Sequence, residues 1–347
     1  MDMKALRIYG PCDMRLENVL VPEPKSDEVL IRIGATGICT TDIELYDGSM
    51  PYIHQGLTTL PLIPGHEWAG RIAKVGSQVE RLEVGMPVVG DVSIGCGTCY
   101  NCMQGKYHLC DHRREVGIIQ YEGGFAEYMI MPAKNVYPIP DGISLTEAAL
   151  VETTATALHG VMLTGIHPGD RVVVFGDGSV GIQAAQAAVA CGAGKVSIVA
   201  RKWLNKDLIE KLGFTLLNKQ EQDLSIELPK VLGGQADVVF EATGNSEVMD
   251  EAIHCVKPGG KVCALSILGK SSVPIDVDYL VTREISLIGS LASPNTFIPT
   301  MELIANGKID VKPLITQTFP LERGVDAFEY VYKKQGPRIK VLVIQDI

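Results

Sequence analysis

The 347-residue sequence holds no apolar run approaching the roughly 20 residues that cross a bilayer. Its opening, MDMKALRIYG, lacks the basic segment, long apolar core and small-residue cleavage site of a secretory signal. Both absences point to a cytoplasmic protein with no membrane partner. Positive charge is scarce as well: 31 Lys and Arg stand against 41 Asp and Glu, a formal net charge of -10. That is the wrong sign for tracking a phosphate backbone, so nucleic acid is not an expected partner. No internal repeat, low-complexity tract or long linker is visible, and function must therefore lie in point constellations. What is present, 46% hydrophobic and 21% charged residues, suits a folded chain throughout. Its length exceeds what one hydrophobic core usually supports, so two domains are expected.

Residues 1–152 read as short β-rich runs, EVLIRIGAT and GMPVVGDV among them, punctuated by Gly and Pro. After Glu152 the pattern changes. A helical stretch, TATALHGVML, leads to the apolar strand RVVVFG, a glycine-rich turn, the helix VGIQAAQAAVACG and the strand KVSIVA, which is a βαβ unit. Further strands at ADVVFEAT, GGKVCALSI and EISLIGS, with a helix around EVMDEAIHCV, complete a doubly wound parallel sheet over 153–289. Residues 290–347 read as two helices, a short extended piece and the strand IKVLVIQ, too little to bury a core alone, and are expected to return to the first domain. The fold class is α/β.

Nine cysteines in a chain without an export signal are read as metal ligands or free thiols. Cys96, Cys99, Cys102 and Cys110 lie in CGTCYNCMQGKYHLC, two C-x-x-C steps and a fourth thiolate. Four such ligands suit tetrahedral zinc with no place left for water, a metal that folds a loop; an iron–sulfur cluster is the alternative. Cys39 in GICTTD, His66 and Glu67 in LPLIPGHEWAG, and Glu152 in ALVETTAT form a mixed set. One thiolate, one imidazole and one or two carboxylates can leave a coordination position open, as a Lewis-acid zinc requires.

Gly176, Gly178 and Gly181, with Ser179 and Val180 between them, give G-x-G-x-x-G between an apolar strand and a small-residue helix. In that setting the motif reads as a dinucleotide site: a tight turn, close approach to the pyrophosphate, and close helix packing. About 20 residues on, where an acidic side chain would hold the ribose of NAD, the chain has Ala200, Arg201 and Lys202. With no carboxylate to repel a 2′-phosphate and two cations to attract it, NADP is favoured over NAD. The competing reading makes Arg201 and Lys202 a solvated turn in an NAD enzyme.

On C-x-T-D at Cys39 to Asp42, G-H-E at Gly65 to Glu67 and the four-cysteine lobe, the chain resembles the zinc-containing medium-chain dehydrogenase/reductase family over essentially its whole length. Its zinc-site pattern is most similar to that of the polyol and sugar, or sorbitol-type, branch. The resemblance implies a GroES-like β-rich catalytic domain, a Rossmann domain, two zinc ions per chain and assembly as a homodimer or homotetramer. It implies that Cys39 and His66 bind catalytic zinc, with Glu152 replacing the second cysteine of ethanol-type enzymes and Glu67 ligating directly or exchanging with water. Thr41 matches the hydroxyl that carries the substrate proton away. Glu44 stands where relatives commonly hold a His that passes this proton on, and Lys340 matches a basic residue that approaches the cofactor pyrophosphate. The implied reaction is hydride transfer between a nicotinamide cofactor and a secondary alcohol, polyol or sugar-type substrate and its ketone. Polyol relatives usually carry an Arg-Tyr pair where this chain has Ala292 and Ser293 in SLASPNTF. The alternatives are a threonine- or amino-alcohol-type dehydrogenase, and a non-catalytic zinc protein that binds dinucleotide. Retention of Cys39, Thr41, His66 and Glu152 together argues against the latter.

Overall fold

The computed structural model describes residues 1–269 and 272–347. The chain divides into two units, one of Met1–Glu152, Ser293–Ala305 and Val311–Ile347, the other of Thr153–Ala292 and Asn306–Asp310. Residues 290–347 therefore do not return to the first unit as a block. Ser290 extends the sheet of the second unit by donating its N–H to the Ala264 carbonyl at 3.0 Å. The Gln186 side-chain amide holds Asn306–Asp310 in the same unit: its Nε2 donates to the Asp310 carbonyl at 3.1 Å, and its Oε1 accepts the Asp310 N–H at 2.7 Å.

The first unit is built on a seven-stranded sheet. At its centre is Glu28–Gly37, whose side chains are buried at all but two of ten positions, as a strand covered on both faces requires. It pairs antiparallel with Glu67–Val75, Tyr128–Pro132 and Lys340–Ile344. Register here decides chemistry. Gly37 lies opposite both Glu67 and Leu342, so the last residues of the central strand meet the first residues of its two neighbours. The chain then leaves the sheet through Cys39 into the helix Thr40–Asp47. Beneath lies an apolar core that includes Ile31, Ile33, Trp68, Phe125 and Phe328.

The second unit is a six-stranded parallel sheet. Its order is Thr215–Asn218, Lys195–Ala200, Arg171–Phe175, Ala236–Glu241, Val256–Ala264 and Ser286–Gly289. Strand order reverses between Arg171–Phe175 and Ala236–Glu241, the switch point outside whose carboxyl ends doubly wound proteins bind ligands. Among the described residues no helix is long and apolar enough to cross a membrane.

Candidate functional site

Cys39 occupies the N-cap of Thr40–Asp47. Asp42, three residues on and fully buried, turns back so that its Oδ2 accepts the Cys39 N–H at 2.9 Å. Its Oδ1 accepts the Gly65 N–H at 3.2 Å and lies 3.5 Å from Nδ1 of buried His66. Among the described residues that nitrogen has no hydrogen bond of good geometry, and Asp42 is the carboxylate that faces it. A carboxylate behind the imidazole is the usual support of a metal-binding histidine. Burial works against a charged imidazole here, yet Asp42 and then Cys39 outweigh it and hold His66 well above its ordinary value. A proton retained in such a place is one that a cation displaces.

The Cys39 sulfur, a His66 ring nitrogen and a Glu67 carboxylate oxygen all lie within 4.8 Å of one another. Glu67 is fully buried, and Lys340 Nζ donates to both its oxygens, at 2.6 and 2.5 Å. The strand register brings this pair together, and Gly37 makes room for it: a Cβ there would stand 2.2 Å from Glu67 Oε2. Lys340, carried by resemblance toward the cofactor, is thus buried against Glu67. Burial opposes its charge, but Glu67, Cys39 and Glu152 raise its pKa. Glu152, buried at the start of the helix Val151–Thr164, is not one of the three residues in the tight cluster, although its charge reaches Lys340. Thr41 and Glu44 are half-buried and three residues apart on Thr40–Asp47, which puts them on one helix face. Burial first, then Asp47, pushes the Glu44 carboxyl up.

The second cluster is the four-cysteine lobe, whose ligand atoms also lie within 4.8 Å of one another. Cys96 and Cys102 sulfurs are 3.9 Å apart, far from a disulfide and close to the ~3.8 Å that tetrahedral ligands at about 2.3 Å from zinc would show. Cys99 N–H donates to the Cys96 sulfur at 3.4 Å, and Cys96 N–H to the Cys110 sulfur at 3.5 Å. Hydrogen bonds from the Thr98 backbone and hydroxyl and the Cys99 backbone pull the Cys96 thiol down to about 5, toward the ligating form. The lobe is tied down by Tyr107, which donates to Asp91 Oδ2 at 2.5 Å and accepts the Asn295 N–H at 2.9 Å. Burial pushes the Asp91 carboxyl up to about 6 against the hydrogen bonds from Tyr107 and Ser93. Neither this tether nor the Asp42 clamp was assigned from sequence, although Asp42 closes the C-x-T-D motif.

In the second unit, Gly176 takes φ +120°, and a Cβ on it would stand 2.7 Å from the Ala242 carbonyl oxygen. A Cβ on Gly181 would stand 2.0 Å from the Gly176 oxygen, so the helix Ser179–Ala190 packs as closely as glycine alone permits. On exposed Gly178 a Cβ would meet, among the described residues other than its chain neighbours, no atom within 4 Å. The backbone there faces open space beside the first N–H groups of a helix opened by Ser179 and Val180, a cradle fitted to a pyrophosphate. Arg201 and Lys202 follow the strand Lys195–Ala200 and are exposed, with the Arg201 guanidinium 3.8 Å from the Glu247 carboxylate.

A doubly wound sheet with a glycine-rich turn at its switch point, in a chain whose other, β-rich unit carries two sets of metal-ligating side chains, defines a metal-dependent dehydrogenase. Residues 25–141 match the alcohol dehydrogenase GroES-like domain, and residues 179–306 match the zinc-binding dehydrogenase family. The chain is 33% identical to sorbitol dehydrogenase of Bacillus subtilis (strain 168), over 99% of this chain and 97% of that protein. It is 31% identical to D-xylulose reductase A of Aspergillus oryzae, over 97% and 95%. Among solved structures, a zinc-binding dehydrogenase from Sinorhizobium meliloti 1021 bound to NADP superposes with TM-score 0.91 at 31% identity, covering 99% of this chain and 100% of that one. The chain belongs to the zinc-containing alcohol dehydrogenase family, in its sorbitol-type branch, and is an oxidoreductase.

Proposed function

We propose that the chain moves a hydride between NADP and a secondary alcohol of polyol or sugar type, interconverting it with its ketone. The observation that carries the reading is the convergence of Cys39, His66 and Glu67, with Asp42 holding the first two from behind. Cys39 and His66 would hold a catalytic zinc together with an acid, either Glu67, whose charge Lys340 balances, or Glu152. Cys96, Cys99, Cys102 and Cys110 would hold a second, structural zinc, two per chain. The catalytic ion supplies Lewis acidity that makes the substrate hydroxyl easier to deprotonate or the carbonyl easier to reduce.

The protein's own groups then manage the proton and the cofactor. Thr41 accepts the proton of the substrate hydroxyl and relays it outward. Glu44, on the same helix face, takes the place of the usual histidine as next acceptor, and a carboxyl raised by its surroundings is the better base for that role. Ser179, Val180 and the three glycines receive the pyrophosphate, and Arg201 and Lys202 read the 2′-phosphate. The relative solved with NADP supports this preference, as does Ala200 in place of an acid. The sorbitol dehydrogenase and xylulose reductase relatives support a polyol-type substrate. Ala292 and Ser293 bring neither the charge nor the ring of an Arg-Tyr anchor. All nine cysteines are free, which agrees with a reducing cytoplasm. The edge strand Ser286–Gly289, with Leu287 exposed, supports a homodimer or homotetramer.

The test is oxidation of a panel of polyols and secondary alcohols with NAD and NADP in parallel, on the wild type and Arg201→Ala. The expected result is turnover of polyols with an NADP preference that collapses in the variant. An NAD preference untouched by the substitution would refute the NADP assignment, and absence of turnover on every polyol would refute the substrate class.

A further inference from the structure

Asn205 stands at the N-cap of the helix Lys206–Lys211, where an asparagine side chain ordinarily accepts an N–H of the first helical turn and steadies the helix start. Here it makes no such bond. Its Nδ2 reaches away and donates twice to Asp177, to the backbone carbonyl at 2.9 Å and to the carboxylate Oδ2 at 3.1 Å. Asp177 lies between Gly176 and Gly178, inside the glycine-rich turn itself. Arg171–Phe175 and Lys195–Ala200 are parallel neighbours with Phe175 opposite Val199, so the turns that leave their ends run side by side. Asn205 bridges them, and both partners are half-buried.

The turn between Ala200 and Asn205 carries Arg201, whose own tie is weak. Its guanidinium side chain is 50% exposed and 3.8 Å from an 80% exposed Glu247, a pair that contributes little to holding it still. The turn is anchored elsewhere. At one point the Trp203 Nε1–H donates to both Glu221 oxygens, at 3.1 and 3.0 Å, and Lys206 Nζ lies 5.1 Å from the centre of its ring. At the other, Asn205 grips the glycine-rich turn. The Gly176 N–H, donating to the Val199 carbonyl at 2.9 Å, fixes the strand end against the glycine-rich turn; beyond Ala200, the course of the turn that carries Arg201 is held by the Asn205 bridge and by Trp203 rather than by a strong contact of Arg201 itself.

We propose that Asn205 is a positioning residue for cofactor choice: by giving up its helix cap to pin the Arg201 turn to Asp177, it holds Arg201 where it can discriminate a dinucleotide with a 2′-phosphate from one without. This rests on the assignment of Arg201 as the phosphate reader. The glycine-rich turn keeps its own backbone tie, the Gly176 N–H to the Val199 carbonyl at 2.9 Å, when the bridge is lost, so the loss acts mainly on the Arg201 turn and leaves recognition of the unphosphorylated cofactor largely intact.

The test uses the full chain and measures binding without turnover, by fluorescence titration with NADPH and NADH. Asn205→Ser is the chosen variant, because serine caps a helix well but is too short to bridge to Asp177. The expected result is an NADPH Kd raised about fivefold or more, an NADH Kd changed by less than about twofold, and a melting temperature no lower than that of the wild type. In Arg201→Ala/Asn205→Ser the NADPH Kd should be within about twofold of that of Arg201→Ala alone, the non-additivity of two residues acting through one contact. Asn205→Ala, with neither cap nor amide, should show the same loss of discrimination. Equal weakening of both cofactors, no weakening, or fully multiplicative losses in the double variant would overturn the inference. If Arg201→Ala itself leaves the NADPH to NADH ratio unchanged, the NADP assignment fails first and the inference with it. If Arg201→Ala collapses the ratio and Asn205→Ser does not, only the bridge is refuted.

Discussion

Replacing Asp42 with asparagine should loosen the catalytic metal set without touching a ligand. Asp42 is fully buried and serves three neighbours, the N–H groups of Cys39 at 2.9 Å and Gly65 at 3.2 Å and the His66 ring nitrogen at 3.5 Å. Asparagine has the same shape but a single acceptor oxygen, so one of the two backbone donors must face an NH2 group. The lost bond to a charged acceptor is worth about 1.5–3 kcal/mol, and leaving its buried donor unpaired accounts for much of that cost. A destabilisation of about 3 kcal/mol is expected in urea unfolding. The missing negative charge behind His66 also weakens its hold on a cation, and loss of such a supporting group typically costs about 10- to 100-fold in metal affinity. Zinc affinity, measured by competition with a chelator, should fall by that factor at the Cys39 site while the four-cysteine lobe keeps its metal. Unchanged affinity at the Cys39 site, together with a stability loss under about 0.5 kcal/mol, would refute the clamp.

Asp91 gives a pH signature. Its carboxyl is raised to about 6 in the folded chain, against an ordinary value of 3.8. The folded state therefore binds a proton that the unfolded state has released, and stability falls as pH rises through that interval. Asp91→Asn cannot titrate, so the stability difference between wild type and variant should move by about 1 kcal/mol against the wild type from pH 5 to pH 7 in urea unfolding; a constant difference would count against the buried carboxyl. Gly178→Ala and Gly181→Ala should separate cofactor space from protein packing. The first places a Cβ where no atom of the described residues beyond its chain neighbours lies within 4 Å, the second 2.0 Å from a backbone oxygen. Both should abolish NADPH binding by fluorescence titration, but only Gly181→Ala should lower the melting temperature, and wild-type binding by Gly178→Ala would move the pyrophosphate elsewhere.

Much of this architecture is written locally. Apolar runs such as RVVVF, the glycine-rich turn and the C-x-x-C steps each carry their structure within a few residues, and motif and element lie where periodicity and spacing put them. What was not legible depends on pairing over distance. Lys340 meets Glu67, 273 residues away, only because two strands flank Gly37 in one register, and no local signal tells a buried lysine from a cofactor contact. Asn306–Asp310 joins the second unit through the amide of Gln186, an interior helix residue that periodicity alone reads as core. Asn205 sits where propensity predicts a cap and does something else, a choice visible only once its neighbour across the sheet is known.

Zinc content per chain, read beside polyol turnover, tests the central claim most directly in the wild type, Cys39→Ser and Cys102→Ser. The reading predicts two zinc ions in the wild type and one in each variant, with turnover abolished in folded Cys39→Ser. A wild type that binds a single ion, or a Cys39→Ser variant that keeps two ions and full turnover, would contradict it.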